Sequence, residues 1–211
     1  MSRFGIFGTS GFAREVGDIA LELGYEPLYV ARDKAELTAW QFPWDAILES
    51  EVERYRDIGF AIGIGENLVR QKVAQRYSGR LRFANLIHPS ATFGYGQRGA
   101  IEISHGNIIC AGARLTCNIQ VGDFCIFNLN ATIGHDVIVD GFVNLAPGAH
   151  ISGNVHIGSR CWVGTGAVVN QGKNEVKLHI GSDTLIGSGA VVLKDCEANA
   201  VYVGTPARRI R

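Results

Sequence analysis

Between residues 103 and 169 the chain carries an apolar residue at every sixth position. The members of this series are Ile103, Ile109, Leu115, Val121, Phe127, Ile133, Val139, Leu145, Ile151, Ile157, Val163 and Val169. Four positions after most of them stands another small or β-branched residue, such as Ala113, Cys125 or Val137. A hexapeptide repeat predicts short strands joined by turns, in which three repeats close a triangular coil and residues 18 apart stack.

The repeat is interrupted after Val169 and resumes at Ile180, Ile186 and Val192. The gap exceeds one repeat by five positions, so Asn170–His179 is predicted to bulge from the coil as a polar loop. Such a loop either contacts a ligand or is an idle surface loop. Phe93–Ala100 is a second irregularity.

Residues 1–80 have a different pattern, in which apolar strands alternate with helices. Strands are predicted at Arg3–Gly8, Pro27–Ala31 and Ile58–Ile64, and helices at Ala13–Leu23 and Asn67–Tyr77. Alternation of this kind implies parallel pairing and a small Rossmann-like α/β domain. The predicted fold is therefore mixed, with an α/β domain over residues 1–85 and a parallel β-helix over residues 86–211.

Composition and charge exclude several classes of protein. The chain is 46% hydrophobic and 19% charged, which is enough apolar material for a sizeable core. Lys plus Arg equals Asp plus Glu at 20 each, so no net field favours nucleic acid or an anionic membrane as partner. No signal peptide or membrane span is recognisable, which leads us to expect a cytoplasmic protein. The five cysteines form no CxxC pair, and most are expected to be buried free thiols.

Two local patterns carry possible chemistry. The first is Gly8–Gly11, which follows a strand and opens a helix; such a loop presents backbone N–H groups to an anion. Together with Gly5, the loop is an imperfect match to the dinucleotide fingerprint, and Asp33 follows about 20 residues later.

The second is His135, which is followed by Asp136 at a turn of the repeat, outside the coil. On spacing alone, His135 is either a general base or an ordinary exposed turn residue.

Six segments together resemble one enzyme family: residues 5–16, 61–72, 85–91, 133–139, 150–158 and 201–210. In this order they are similar to the sialic acid O-acetyltransferase and bacillosamine-type sugar N-acetyltransferase family. The resemblance implies a left-handed β-helix and a homotrimer whose active sites lie in the grooves between subunits. It also implies that acetyl-CoA lies along the groove and that the N-terminal domain holds a nucleotide sugar.

The resemblance also implies roles for individual residues. His135 would be the general base and Asp136 would orient its ring, although Asp is one methylene shorter than the Glu that many relatives carry. Asn144, near the place of a second His in some relatives, would contact acetyl-CoA, and the N–H of Gly153 would stabilise the oxyanion. The remaining acetyl-CoA residues would be Thr165, Ser188, Gly204 and Pro206, with Arg208 and Arg209 either meeting CoA phosphates or solvated. The nucleotide sugar would contact Ser10, Gly11, Phe12, Arg32, Asp33, Gly65, Asn67, Arg70 and Asn128.

The predicted activity is acetyl transfer from acetyl-CoA, without a metal, to the amino group of a nucleotide-linked amino sugar. A 4-amino-4,6-dideoxy sugar is expected by analogy, in the synthesis of lipopolysaccharide or another surface glycan. Three alternatives stay open: a sialic acid O-acetyltransferase, a non-catalytic scaffold, and a γ-class carbonic anhydrase with three histidines on zinc. The last would draw on His88, His105, His135, His150, His156 and His179, which form no obvious triad.

Overall fold

The structure is a computed structural model that describes residues 2–173 and 176–211. Its N-terminal part contains strands β1 (Arg3–Phe7), β2 (Glu26–Ala31), β3 (Ala46–Leu48), β4 (Gly59–Ile62) and β5 (Arg82–Phe83), helices α1 (Gly11–Glu22), α2 (Lys34–Ala39) and α3 (Asn67–Arg76), and a 3-10 helix at Glu49–Tyr55. All neighbouring strands pair in parallel, in the order β3-β2-β1-β4-β5. The predicted α/β part is confirmed.

The long predicted elements of this part match the structure within a few residues. Val16, Ile19 and Ala20, which form the apolar stripe of α1, are buried against the sheet. The sequence did not reveal α2, β3 or β5, because segments this short do not show a period. Within the described ranges, no helix is long and apolar enough to cross a bilayer.

The rest of the described chain is a stack of short strands with one small helix. They are β6 (Leu86–Ile87), β7 (Thr92–Phe93), α4 (Gln97–Ile101), β8 (Ile108–Ile109), β9 (Arg114–Leu115), β10 (Gln120–Val121), β11 (Ile126–Phe127), β12 (Thr132–Ile133), β13 (Ile138–Val139), β14 (Asn144–Leu145), β15 (His150–Ile151), β16 (Val155–Ile157), β17 (Trp162–Val163), β18 (Val168–Val169), β19 (Leu178–Ile180), β20 (Leu185–Ile186), β21 (Val191–Val192), β22 (Val201–Val203) and β23 (Arg208–Arg209). Apart from the antiparallel pair β22–β23, these strands pair in parallel, as a β-helix requires.

The strands form the three faces of a prism. The first face holds β6, β8, β11, β14, β17, β20, β22 and β23, the second holds β7, β9, β12, β15, β18 and β21, and the third holds β10, β13, β16 and β19. Equivalent residues of neighbouring coils pair with each other, as Ile133 does with Ile151. We call the turns between faces the first–second, second–third and third–first corners.

The repeat residues fill the interior of the prism. From Ile109 to Val192 almost every member of the sixfold series is buried, and so are the small residues four positions on. Cys125 and Cys161 belong to this core, where burial raises the pKa of each thiol to about 12. These thiols therefore stay protonated and serve as packing groups; Cys117 is exposed, unlike the other four cysteines.

The predicted start of the repeat at Ile103 is wrong. Ile103 is 87% exposed and follows α4, whereas Ile101 within α4 is fully buried and packs on the end of the interior. Gln97 ties α4 to the first coil, because its side-chain amide donates to the carbonyl of Ile119 at 2.8 Å and accepts from the Ile119 N–H at 2.8 Å. The irregular segment at Phe93–Ala100 thus contributes to a cap that closes the prism.

Candidate active site

His135 lies at the second–third corner, in the turn between β12 and β13. Its side chain is 62% exposed, as expected for a turn residue that points away from the interior. The Nδ1 atom lies 2.6 Å from Oδ2 of Asp136, so the shorter Asp side chain does reach the ring. The arrangement is a histidine–carboxylate pair open to solvent on its other edge.

Asp136 is held in place by its backbone and by the preceding coil. Its φ of 60° lies in the left-handed region, which Asp and Asn enter more readily than other non-glycine residues. Asn118, one coil earlier, donates from Nδ2 to Oδ1 of Asp136 at 2.6 Å. The hydrogen bonds from His135 and then Asn118 hold the pKa of the Asp136 carboxyl below its usual value. An ionised carboxylate only accepts, so Nδ1 carries a proton, and in the neutral form of the ring Nε2 is then the acceptor.

Gly153 lies beneath the imidazole, one coil further along the corner. A Cβ at Gly153 would stand 2.5 Å from Nε2 of His135, so any larger residue would displace the ring. A Cβ at Gly134 would likewise stand 2.6 Å from the backbone nitrogen of Gly153. Two glycines therefore bring the basic nitrogen close to the Gly153 backbone, whose N–H is the predicted oxyanion donor.

The residues predicted for acetyl-CoA form a column at the first–second corner. Thr165 and Ser188 occupy equivalent exposed turns of successive coils, and the N–H of Gly189 donates to the carbonyl of Thr165 at 2.9 Å. Gly204 and Pro206 continue this column in the exposed turn between β22 and β23. Within one chain the column and His135 lie at opposite edges of the second face.

The α/β part contains a cavity of about 350 Å³ at the carboxyl ends of β1 and β2. Its lining includes Gly8, Thr9 and Ser10 from the loop that opens α1, together with Arg32. Gly8 has a φ of 111°, which only glycine adopts readily, and this conformation shapes the loop. Ligands of open α/β sheets characteristically bind at this edge.

The chain is similar in sequence and fold to several known proteins. Residues 3–77 match the family model of the PglD N-terminal domain. The chain is 25% identical over its full length to GDP-perosamine N-acetyltransferase of Escherichia coli O157:H7, covering 97% of that protein. Its fold matches the acetyltransferase domain of PglB from Neisseria gonorrhoeae FA1090 with a TM-score of 0.87, 27% identity and complete coverage of both chains. It matches PerB from Caulobacter crescentus, solved with CoA and GDP-perosamine, with a TM-score of 0.84 and 26% identity, covering 100% of this chain and 98% of that one.

Over its full length the chain is therefore similar to bacillosamine-type sugar N-acetyltransferases of the hexapeptide-repeat family. In this acetyltransferase, the possible general base and the possible ligand cavity lie in different parts of one chain. The histidine–carboxylate pair is on the prism and the cavity is in the α/β part.

Asn144 is placed differently from the acetyl-CoA contact predicted for it. It lies on the first face beneath the α/β part, is only 3% exposed, and donates from Nδ2 to the carbonyl of Gly65 at 3.1 Å. Its Oδ1 is buried without a hydrogen-bond partner among the described residues. In the described conformation Asn144 therefore joins the two parts of the chain and does not face a groove.

Asn67 and Arg70 were predicted to contact the sugar, but they too lie between the two parts. Arg70 is 1% exposed, and its guanidinium donates to the backbone carbonyls of Phe124 and Phe142 on the prism and of Ile64 and Gly65 on its own side. Asn67 accepts from Arg70 and donates to Arg160 and Cys161 carbonyls. Burial lowers the pKa of Arg70 to about 10, so it remains charged at neutral pH.

Several other predicted sugar contacts do not line the cavity. Asp33 caps α2, where its Oδ1 accepts from the N–H of Glu36 at 3.0 Å. Gly11 is in the first turn of α1, and Phe12 packs partly buried against the core. Asn128 lies at the first–second corner and accepts from the N–H of Leu129, on a different corner from His135 of its own chain. Of the residues predicted for the sugar, Ser10 and Arg32 line the cavity.

Sequence reasoning missed the part of the cavity that α3 provides. Lys72, Val73 and Arg76 line it, one or two helical turns beyond the predicted Asn67. Arg76 pairs with Glu49 at 2.5 Å, and Arg32 pairs with Glu36 at 3.2 Å. Lys72 makes no ion pair or hydrogen bond with the described part of the chain. The signal available was the i, i+4 spacing of two cations on one predicted helix, which does not by itself distinguish a ligand site from a solvated face.

Within the described part of the chain, the histidines outside the pair do not gather into a metal centre. Among residues 2–173 and 176–211, no group of three or more His, Cys, Asp or Glu side chains is arranged to hold a metal ion. His156 contacts Asp140 at 3.1 Å and lies against the ring of His179, and His150 contacts Thr132.

Proposed function

We propose that the chain transfers the acetyl group of acetyl-CoA to the amino group of a nucleotide-linked amino sugar. The observation that carries this proposal is the geometry of the His135 ring. Its Nδ1 is held by Asp136, while its Nε2 lies over the backbone of Gly153. The relatives named above include a GDP-perosamine N-acetyltransferase and the acetyltransferase domain of PglB, and the solved PerB complex contains CoA and GDP-perosamine. The combination fits a site that deprotonates an amine beside a thioester.

The geometry supports a direct transfer. The amine nitrogen attacks the thioester carbonyl carbon while Nε2 of His135 takes the proton that the amine loses. The negative charge that develops on the carbonyl oxygen accepts a hydrogen bond from the N–H of Gly153. The C–S bond then breaks, the amide remains on the sugar, and the imidazolium returns the proton to the departing thiolate. Asp136 keeps its charge throughout and stabilises the imidazolium.

We propose that the cavity in the α/β part binds the nucleotide of the acceptor. The N–H groups at the start of α1 and the ammonium of Lys72 suit a diphosphate, because both bring positive charge to the lining of the cavity. Arg32 and Glu36 line the same cavity as polar groups for a ribose or base, and Glu36 accepts from the Thr9 hydroxyl at 3.3 Å. The buried Arg70 and Asn67 would act indirectly, by fixing this part on the prism.

We also propose that the active enzyme is a trimer with sites shared between subunits. In one chain, His135 and the column of Thr165, Ser188 and Gly204 lie at opposite edges of the second face. A ring of identical chains brings opposite edges of neighbouring subunits together, because a cyclic interface is heterologous. A complete site would then take His135 from one chain and the acetyl-CoA column from the next.

Subunit complementation tests the shared site. Two inactive variants, His135→Ala and Ser188→Trp, are co-expressed with different affinity tags, and mixed oligomers are purified on both tags. Shared sites predict recovery of about a third of wild-type turnover, since every trimer that contains both variants has two intact halves in about one site of three. Sites within one chain predict no recovery, and light scattering on the same samples reports whether the mass is that of three chains.

Thiol release from acetyl-CoA tests the activity itself. The panel contains GDP-perosamine, UDP- and dTDP-linked 4-amino-4,6-dideoxy sugars, and free and nucleotide-linked sialic acid. Turnover with one amino sugar supports N-acetylation and identifies the nucleotide, and we propose that such a product is used in surface-glycan assembly. Turnover confined to sialic acid would contradict the amino-sugar proposal and favour O-acetylation.

A further inference from the structure

A ladder of polar side chains runs along the second–third corner beside the histidine. Asn118, Asp136 and Asn154 follow one another at intervals of one coil, and each has a φ between 55° and 60°. They occupy the same turn position of three successive coils. Asn118 contacts Asp136 from one side, as described above, and Asn154 lies on the other side, where its N–H donates to the carbonyl of His135 at 2.8 Å.

The interruption of the repeat decides which residue comes next in this ladder. Val155 of β16 pairs with Leu178 of β19, a separation five positions longer than that of an uninterrupted coil. Lys177 therefore stands above Asn154, at the position that Gly172 would occupy without the inserted segment. The N–H of Gly172 instead donates to the carbonyl of Gly153 at 3.1 Å, which keeps the start of the loop on the corner. Residues 174 and 175 of the predicted loop lie outside the described residues.

The side chain of Lys177 reaches past Asn154 to the catalytic pair. Its Nζ donates to the backbone carbonyl oxygen of Asp136 and, at 3.2 Å, to Oδ1 of Asn154. The amide of Asn154 in turn donates to the carbonyl of Val176 at 3.1 Å, so the loop and the ladder hold each other. Lys177 is half-buried, which strengthens these charge-assisted hydrogen bonds relative to a fully solvated ammonium.

We propose that Lys177 is a positioning residue for the transfer reaction, and that the interruption of the repeat serves to place it there. Lys177 fixes the Asp136 backbone from above while Asn118 fixes the carboxylate from below. The carboxylate is thereby kept on Nδ1 of His135, which holds the ring in the tautomer whose Nε2 accepts a proton. This inference rests on the proposed function of His135 as a base.

The tautomer of His135 is a direct readout of this role. Among the titratable residues of the described chain, Asp136 contacts the ring, Lys177 donates to the Asp136 carbonyl, and Cys117 on the preceding coil accepts from the Asp136 N–H through its backbone carbonyl. Nitrogen-15 chemical shifts, recorded at a pH where the ring is neutral, distinguish a proton on Nδ1 from one on Nε2. The His135 signals are assigned by their loss in His135→Gln.

Three variants test the proposal. Lys177→Met removes the donor, and Lys177→Arg keeps a cation with several donors. Lys173→Met is the control, because it deletes the same charge from the same loop. Lys173 is exposed, and its side chain makes no hydrogen bond with the described residues. Thermal unfolding of all three establishes that each is folded. Wild-type protein, Lys173→Met and Lys177→Arg should show the proton on Nδ1.

We expect Lys177→Met to shift the ring toward the Nε2–H form and to lower kcat about tenfold, with the KM for acetyl-CoA unchanged. A folded Lys177→Met protein whose tautomer matches that of Lys173→Met would overturn the proposal. The spectra do not depend on turnover, so the two proposals can fail separately. An inactive wild-type protein would contradict the proposed function, while the tautomer in the variants would still decide whether Lys177 positions the ring.

Discussion

The Nδ1 atom of His135 and the Oδ2 atom of Asp136 lie 2.6 Å apart, with Asp136 in a left-handed turn that directs its short side chain back to the preceding residue. We expect Asp136→Asn to lower kcat about 10- to 100-fold, because the amide stabilises the imidazolium less than a carboxylate does. Steady-state kinetics measure the effect. Asp140→Asn is the matched control, since Asp140 contacts His156 in a similar way at another corner and should tolerate the change.

Gly153 provides a test of the space beneath the imidazole. Gly153→Ala would place a methyl group 2.5 Å from Nε2, and the mobile end of the ring would move away more readily than the backbone. We therefore expect at least about a tenfold loss of kcat with little change in thermal stability. Gly99→Ala is the control, because a Cβ at Gly99 meets open space. Normal turnover in Gly153→Ala would mean that the ring is not used in this position.

The buried guanidinium of Arg70 joins the α/β part to the prism. Arg70→Met leaves the carbonyls of Phe124 and Phe142 without their donor in a buried setting, so we expect a loss of about 3 kcal/mol in the free energy of unfolding. Urea unfolding at fixed protein concentration measures it. Arg54→Met removes an exposed ion pair with Glu51 and should change stability by less than about 1 kcal/mol. Equal effects of the two substitutions would refute the joining role.

Lys72 tests the nucleotide cavity. Its ammonium lines the cavity without a partner in the described chain, so Lys72→Met should raise the KM for the nucleotide sugar about tenfold, equivalent to about 1.4 kcal/mol. The KM for acetyl-CoA should be unchanged, because the acetyl-CoA column lies on the prism. An increase in salt concentration should weaken acceptor binding in the wild type more than in the variant. Equal KM values would place the diphosphate elsewhere.

The hexapeptide period was sufficient to predict the prism, because one apolar residue in six can face the interior only if the chain turns at regular intervals. It also placed His135 and Gly153 on one corner, since the two are separated by one full coil. The error at Ile103 arose where the period continued in sequence but a helix replaced the coil. The helix is favoured there because it covers the apolar end of the core. This is a requirement of the tertiary structure that has no local sequence signal.

The residues that join the α/β part to the prism show why their contacts could not be predicted from the sequence. Arg70 contacts carbonyls 54 and 72 residues away, and Asn144 contacts Gly65 across 79 residues. These partners are backbone groups, which leave no signal in the side-chain sequence. Lys177 reaches Asp136 across 41 residues, and its place in the ladder depends on the length of the segment inserted before it.

Substitution of His135 tests the central claim most directly. Thiol release from acetyl-CoA is measured with the best amino-sugar acceptor for wild-type protein and His135→Ala, and acetyl-CoA affinity is measured for both by calorimetry. A general base predicts that kcat falls at least about 100-fold while the Kd for acetyl-CoA stays within about twofold. Undiminished turnover in His135→Ala would contradict the assignment of His135 as the base.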